Sequence, residues 1–264
     1  MEKNNICKFI STATEKGVRF LNEDTYGVLE KKTSVFCLVC DGIGGRKHSE
    51  YASQILRDTI MTSYKKSWFL CFPTFIKKCI RKSIKKMINF TKTKTDVGKI
   101  GTTLVGAYIH NKNCVKTCSV GDSRIFHFSQ KNKQWKQITT DQNLKNFLWE
   151  KTQEKITNAP DKKEFYEQQY QSSLIQHQQE LTYLTNSVDN ETTFDYKKIE
   201  FSTIEIESGD YVFLCSDGVY NWISLDEAAK IIEEHKENSS QKIIDFCLTN
   251  KSNDNLTAIV VQIN

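Results

Sequence analysis

Proline is almost absent from this chain of 264 residues, which contains only two. A proline-rich linker between modules is therefore excluded, and the length favours one domain over residues 1–264 rather than two. Residues 1–5 lack the apolar core of a secretory leader and do not match a myristoylation motif, so we expect neither. No run approaches the roughly 20 apolar residues that a membrane-spanning helix requires, so we expect no transmembrane segment.

A strong charge of one sign is missing as well. The chain has 37 basic and 32 acidic residues and a formal net charge of +5, too mild to indicate a nucleic-acid partner without a concentrated patch.

Cysteine spacing typical of a zinc site is also missing. Cys37-x-x-Cys40 has no second pair among the nine cysteines, and it lies in an apolar run typical of a buried strand. We therefore predict free thiols and a cytoplasmic location, with the nucleus as the alternative.

What the sequence does contain is a regular series of apolar runs. They predict strands near residues 6–14, 25–30, 34–40, 103–110, 114–119, 123–129, 134–138, 199–205, 211–215 and 256–263. Helices are predicted from about Ser49 to Tyr64, from about Pro73 onward, from Ser224 onward and from Gln241 to Leu248. Helices that occur in pairs between runs of strands indicate a layered α+β domain rather than a doubly wound parallel sheet.

The segment of residues 142–193 has the weakest pattern. It is polar and rich in glutamine, and its apolar residues show little periodicity. A long segment of this kind inside a compact domain is typical of a lid beside a functional site or of a mobile insertion. An ordinary surface loop without a functional role fits the same pattern equally well.

Five short acidic and glycine-bearing segments are the most informative part of the chain. They are Arg19–Asp24, Asp41–Gly45, Gly121–Arg124, Ser216–Gly218 and Asp254–Asn255. Each by itself is a routine turn signal after a strand. Together, at the ends of apolar runs, they predict carboxylates that converge on one place. Such a cluster of hard oxygen ligands suits Mg²⁺ or Mn²⁺ and does not suit zinc or copper.

In these segments, with Gly101-Thr102-Thr103 between the second and the third, the sequence resembles the metal-dependent Ser/Thr protein phosphatase family (PPM, protein phosphatase type 2C). The resemblance runs from about Ile10 to Asn264, and the loop Asp41-Gly42-Ile43-Gly44-Gly45 is closer to that of bacterial-type members. It implies a four-layer α-β-β-α sandwich, in which two antiparallel sheets are flanked by helix pairs. It also implies that residues 142–193 form a flap beside the catalytic cleft.

The resemblance further implies metal-dependent hydrolysis of phosphoserine and phosphothreonine in proteins, by a hydroxide that bridges two Mg²⁺ or Mn²⁺ ions. Asp41 would bridge both ions, and Asp217 and Asp254 would complete the first site. Glu23 and the main-chain carbonyl of Gly42 would serve the second. The glycine fits this role, since a carbonyl ligand needs a tight turn with no side chain in the way.

Two more carboxylates have places in the same scheme. Asp24 would order metal-bound water, and Asp122 would hold a third, weaker ion together with Asp217. Many eukaryotic members carry another carboxylate four residues after the Asp of Ser-Asp-Gly, where this chain has Asn221. A neutral amide attracts a divalent cation less strongly, so we expect the third site to be weak.

The resemblance assigns Arg19 to the substrate phosphate, because a planar guanidinium can bind two phosphate oxygens at once. The acid that protonates the leaving group is less clear from the sequence. Animal members place a histidine directly after Asp-Gly, where this chain has Ile43, which cannot donate a proton. Metal-bound water is then the expected acid, and His48 is a weak alternative.

Two other functions are compatible with parts of the sequence. A catalytically inactive relative could act as a regulatory binding module, although no core ligand position is replaced. The Lys77–Lys86 face of the second helix, next to Trp68–Phe72, permits peripheral contact with a membrane or with nucleic acid. A solvated face above a core-facing stripe explains those lysines more simply. We expect phosphoprotein substrates, no nucleic-acid partner and a monomer.

Overall fold

Two five-stranded antiparallel sheets form the centre of the molecule. The computed structural model describes residues 6–45, 48–66, 71–94, 97–110 and 113–264. Its strands, in chain order, are β1 (Cys7–Glu15), β2 (Thr25–Lys31), β3 (Ser34–Cys40), β4 (Gly101–Thr102), β5 (Leu104–His110), β6 (Cys114–Val120), β7 (Arg124–Ser129), β8 (Gln134–Gln137), β9 (Val188–Asp189), β10 (Glu200–Glu205), β11 (Tyr211–Cys215) and β12 (Leu256–Ile263). One sheet has the order β1-β12-β11-β7-β8 and the other β10-β6-β5-β3-β2, while β4 and β9 pair separately.

The ten strands predicted from the apolar runs are all present, and each end agrees with the prediction to within about one residue. The two-residue strands β4 and β9 were not predicted, because two residues are too few to carry an alternating pattern.

Strand β3 shows why some of these runs are apolar throughout. All seven of its residues are buried. Val35 and Val39 face the other sheet in the centre of the sandwich, while Phe36 and Leu38 face the helices on the outside. A strand covered on both faces needs no polar side, so alternation disappears. Cys37 and Cys40 face opposite sides of the strand for the same reason, and all nine cysteines are free thiols.

Helices cover both outer faces of the sandwich. In chain order they are α1 (Ser49–Lys66), α2 (Phe72–Lys92), α3 (Leu144–Asn158), α4 (Lys163–Gln176), α5 (Asp217–Tyr220), α6 (Leu225–His235) and α7 (Ser239–Thr249). The pair α1 and α2 packs on the sheet that contains β3, and the pair α6 and α7 packs on the sheet that contains β1. This is the predicted order of layers, and the fold class is confirmed.

Local signals set the helix ends as predicted. Pro73 lies in the first turn of α2, and the Ser224 hydroxyl accepts a hydrogen bond from the Glu227 amide at 3.2 Å at the start of α6. Helix α2 buries its apolar stripe, and most of its basic face is exposed to solvent. Contact of this face with a membrane stays a prediction, and residues 68–70 beside it lie outside the described residues. None of the described helices is long and apolar enough to cross a membrane.

The segment 142–193 is more regular than its sequence pattern indicated. It contains α3 and α4, which pack against each other as a helical hairpin. Helix α3 buries only Thr152, and α4 buries no residue at all. A helix without a buried face has no apolar stripe, so the periodicity that reveals other helices was missing.

Candidate metal centre

Ends of strands from both sheets bring the acidic segments together at one edge of the sandwich. Asp41 follows β3, Asp122 lies between β6 and β7, Asp217 follows β11 and Asp254 precedes β12. A cleft of about 440 Å³ opens there. It is lined by Arg19, Glu23, Asp41, Gly42, Ile43, Gly44, Thr103, Asp122, Thr182, Tyr183, Leu184, Ser187, Asp217 and Asp254. With Asp24 just behind this lining, the structure places every predicted site residue in one region, while their roles stay predictions.

Asp24 lies deepest in the cluster. One carboxylate oxygen, Oδ2, accepts a hydrogen bond from the Ser216 hydroxyl at 2.7 Å. The other, Oδ1, is buried and has no hydrogen-bond partner. Ser216 is itself fixed, because its Oγ also accepts from the Thr257 amide at 3.0 Å. A buried oxygen without a partner is costly, so Asp24 needs a further positive or hydrogen-bonding group.

The backbone around Asp41 is held by two threonines. The Asp41 amide donates to Thr103 Oγ1 at 3.1 Å, and the Asp41 carbonyl accepts from the Thr102 hydroxyl and the Thr103 amide, both at 2.8 Å. The side chain is thereby aimed into the cleft, within hydrogen-bonding reach of the carboxyl groups of Asp24 and Asp217. Asp41 therefore lies between two other carboxyl groups at the centre of the site.

Gly42 is a position where only glycine fits. A Cβ added there would lie 2.8 Å from the Ser49 carbonyl oxygen and 2.9 Å from the Glu23 carbonyl oxygen. The Gly42 amide donates to that Glu23 carbonyl at 3.1 Å, and the Ser53 hydroxyl donates to it at 2.6 Å. The absence of a side chain therefore lets the Asp41–Gly42 turn and the Glu23 loop touch, so that Glu23 and Asp41 share one cleft.

Arg19 lies at the mouth of the cleft, half-exposed. Its Nη2 donates to Asp254 Oδ2 at 2.9 Å, and its Nε donates to the Asn253 carbonyl at 3.0 Å. The remaining nitrogen, Nη1, lies 3.6 Å from the place where a Cβ on Gly44 would be. The guanidinium is thus fixed on one side and faces the Gly44 turn with the other.

Asp122 is buried and lines the same cleft as Asp217. Asn221, the neutral residue from which we expect a weak third site, follows helix α5 and is exposed. It does not belong to the described lining of the cleft. A weak third site at Asp122 and Asp217 therefore stays a prediction.

His48 is not part of the described lining of the cleft either. Its Nδ1 lies 3.5 Å from Glu50 Oε1, and its ring packs on that of Tyr51. Ile43, in contrast, does line the cleft and has no titratable group. These positions give no support to His48 as the acid.

Crowding of carboxyl groups changes their protonation. Burial raises the pKa of Asp24 to about 7, that of Asp122 to about 8 and that of Asp217 to about 6, with further increases from neighbouring carboxylates. Burial, and then the charges of Asp24 and Asp217, raise the pKa of Asp41 well above its ordinary range. Burial and the charge of Glu50 raise the pKa of Glu23. The cluster therefore requires protons or cations near neutral pH.

The donor set fits a divalent cation that prefers oxygen. Among the described residues, no group of three Asp, Glu, His or Cys side chains is arranged so that it could hold a metal ion by itself. Mg²⁺ rarely needs such a cage, because it is commonly bound by one or two carboxylates together with water and substrate phosphate. The orphaned Asp24 Oδ1, the raised pKa values and the all-oxygen lining agree with such an ion.

Asn255 stabilises the site through hydrogen bonds that the sequence did not reveal. Its side-chain amide donates to the carbonyls of Lys16 and Leu21, both at 2.9 Å, and its Oδ1 accepts from the Glu23 amide at 2.9 Å. It therefore holds the whole loop that carries Arg19 and Glu23. These partners lie more than 200 residues away in the chain, so spacing within the motif gives no sign of them.

The base of the flap is bound to the same region by two residues. Gln142 Oε1 accepts from the Gly121 amide at 2.9 Å. Asp141 binds the Arg124 guanidinium through two hydrogen bonds of 2.9 and 2.6 Å, and that guanidinium lies 3.6 Å from the ring centre of Tyr220. The flap is thus connected directly to the segment that carries Asp122, a connection that the sequence pattern did not indicate.

The raised pKa values predict how stability changes with pH. Without divalent cations, these carboxyl groups bind protons in the folded protein above the ordinary Asp pKa of about 4, where the unfolded chain has released them. The free energy of unfolding should therefore be largest near about pH 5 and fall towards about pH 8. Thermal unfolding in EDTA across this range measures it, with Asp122→Asn expected to weaken the dependence. A Tm that rises with pH would contradict the prediction.

Comparison with known proteins identifies one family in both sequence searches. The Protein phosphatase 2C family model matches residues 18–258. The serine/threonine phosphatase stp of Listeria welshimeri is 27% identical over 262 residues, covering 95% of this chain and 94% of that protein. The protein of the same name from Listeria monocytogenes is 25% identical over 260 residues, covering 94% and 93%.

Solved structures share the fold over their whole length. The serine/threonine phosphatase Stp1 from Staphylococcus aureus has a TM-score of 0.77 at 21% identity, covering all of this chain and 98% of that one. PstP/Ppp of Mycobacterium tuberculosis has a TM-score of 0.75 at 18% identity, covering 98% and 99%. The catalytic domain of PstP in complex with two manganese ions has a TM-score of 0.72 at 18% identity, with 98% of both chains covered.

Proposed function

Since the chain belongs to the protein phosphatase 2C family, we propose that it hydrolyses phosphoserine and phosphothreonine in proteins with the help of divalent cations. The Listeria relatives, which match nearly the whole chain, are named serine/threonine phosphatases. The observation that carries the proposal is the convergence of carboxylates from separate parts of the chain on one cleft, with an arginine at its mouth.

The residues present fit two core ions, Mg²⁺ or Mn²⁺. Asp41, whose carboxyl group lies within hydrogen-bonding reach of those of Asp24 and Asp217, would hold both ions. Asp217 and Asp254 would hold one of them, and Glu23 with the Gly42 carbonyl would hold the other. When bound, such ions would offset the charge of the phosphate and would lower the pKa of water in the cleft, which would make hydroxide available as the attacking group. The two manganese ions in the PstP structure support the proposed number and type of ions.

The remaining residues of the site prepare it for these ions. The Ser216 hydroxyl orients Asp24 behind the lining of the cleft, and Asp24 would order metal-bound water from there. Asp122 with Asp217 would hold a weaker third ion, which the neutral Asn221 does not assist. We also keep a monomer, phosphoprotein substrates and a cytoplasmic location as predictions.

Arg19 is proposed to hold the substrate phosphate. Its contacts with Asn253 and Asp254 use Nε and Nη2, which leaves Nη1 to face the cleft. Arg19→Ala should raise KM for a phosphopeptide by roughly tenfold or more, with a smaller effect on kcat, because a charge-assisted contact to the bound phosphate is lost. Arg19→Lys should recover only part of the loss, since an ammonium cannot make the planar contacts.

Steady-state kinetics of both variants measure this effect. Arg81→Ala is the matched control, because Arg81 lies on α2 against Tyr196 and does not line the cleft. An unchanged KM in Arg19→Ala would remove Arg19 from the site.

A catalytically inactive relative is not favoured, because every side chain predicted to hold the two core ions is a carboxylate. The direct test is release of phosphate from phosphoserine and phosphothreonine peptides in the presence of Mn²⁺. Asp41→Asn, prepared in the same way, shows how much activity comes from contaminating enzymes. If the wild-type protein released no more phosphate than this variant, the proposed function would be wrong.

A further inference from the structure

Next to the proposed phosphate-binding arginine, the chain exposes a group of apolar side chains. Val18 is 75% exposed, Phe20 is 92% exposed and Leu21 is 49% exposed. Together these three residues form what we term the apolar rim, and Arg19 lies between the first two. Single exposed apolar residues are common on protein surfaces, but three of them within four consecutive residues, next to an arginine that lines the cleft, indicate a binding surface.

The loop that carries the apolar rim is fixed. Gly17 has a φ of +59°, and an added Cβ there would lie 2.5 Å from the Asp254 carbonyl oxygen. The Arg19 amide donates to the Lys16 carbonyl at 3.2 Å, and the Asn255 side chain binds the carbonyls of Lys16 and Leu21. Because both ends of the loop are held, the exposure of Phe20 is built into the site.

The flap supplies further side chains to the same cleft. Thr182, Tyr183 and Leu184 line it, and Tyr183 is 63% exposed. The Tyr183 carbonyl accepts from the Leu144 amide at 2.9 Å, which fixes this part of the flap at the start of α3. The cleft thus has an acidic floor and carries exposed apolar and aromatic side chains near its mouth.

We propose that the apolar rim binds an apolar side chain close to the phosphorylated residue of a substrate polypeptide, so that the enzyme prefers phosphorylation sites with an apolar neighbour. The proposal rests on the proposed function. Since Val18 and Phe20 flank Arg19 directly, an occupant of the rim lies about one or two residues from the phosphate along an extended chain. A polypeptide is the expected occupant, because the rim directly flanks the arginine proposed to hold the phosphate of a phosphorylated residue.

A peptide panel tests this preference. A phosphothreonine peptide of Gly, Ser and Lys is compared with versions that carry one leucine at either of the two positions before or after the phosphothreonine. For at least one position we expect kcat/KM to rise about tenfold over the leucine-free peptide, mainly through KM, because one buried apolar contact contributes about this factor. In Phe20→Ser, the ratio of kcat/KM for the leucine peptide to kcat/KM for the leucine-free peptide should fall to about one.

Phe165→Ser is the matched control, because Phe165 is 55% exposed on α4 and does not line the cleft; it should keep the ratio of the wild type. Equal kcat/KM across the panel in an active wild-type enzyme would overturn the apolar preference and leave the proposed function intact. Absence of activity on every peptide would instead overturn the proposed function. If Phe20→Ser kept the ratio but turned a dimer into a monomer in light scattering, the rim would be a self-association surface and the proposal would be wrong.

Discussion

Asp41→Asn is expected to lower kcat by roughly a thousandfold or more, because it removes the charge proposed to hold both cations in the reaction. The same change should raise the Tm of the metal-free protein. Burial and the neighbouring carboxylates raise the pKa of Asp41, so its charge opposes folding when no cation is present. Loss of turnover together with higher stability would separate a functional role from a structural one.

Steady-state assays at saturating Mn²⁺ and thermal unfolding in EDTA measure the two effects. Asp217→Asn should behave similarly in kcat. Asp226→Asn, at an exposed position in the first turn of α6, is the matched control; it should leave kcat unchanged and should not raise the Tm, since an acidic residue there stabilises the helix. A kcat near that of the wild type in Asp41→Asn would exclude Asp41 as a ligand of the catalytic ions.

Removal of divalent cations should have an effect of similar size. Exhaustive chelation is expected to reduce the rate to background, and Mg²⁺ or Mn²⁺ should restore it, because the described cleft contains oxygen donors and no histidine or cysteine. A second measurement does not depend on activity. Near about pH 8 the same ions should raise the Tm of the protein, since they stabilise the ionised carboxylates. Full activity after exhaustive chelation would contradict the metal-dependent reaction.

Much of the fold could be predicted because burial leaves a local pattern. Strands β3 and β12 are buried along their whole length, and their sequences are correspondingly apolar. Helix α2 buries one stripe and exposes its lysines, so its periodicity is clear. Helices α3 and α4 bury almost nothing, and no local signal distinguishes them from an irregular polar segment. The apolar pattern of a sequence reports which residues are buried. It therefore predicts helices and strands that have a buried face and misses those that do not.

The candidate site, like the fold, could be predicted only in part. Its carboxylates follow strands and could be placed together from the order of the motifs and the family resemblance. The hydrogen bonds that hold them could not be predicted. Asn255 and Arg124 belong to the motifs and Gln142 does not, but the partners of all three lie in other segments of the chain. The exposure of Phe20 was equally hidden, since a single apolar residue in a loop reads the same whether it is buried or exposed.

The pairing of β1 with β12 has a consequence for the folding of the chain. Cys7 pairs with Ile263 and Glu15 with Leu256, so the two halves of this ladder are separated by nearly the entire sequence. Pairings of such high contact order form slowly, because a very long loop must close before any contact is gained. During synthesis, this sheet lacks its second strand until residues 256–263 have left the ribosome. Asp254 lies directly before that strand, so a chain truncated ahead of it would be unable to assemble the site.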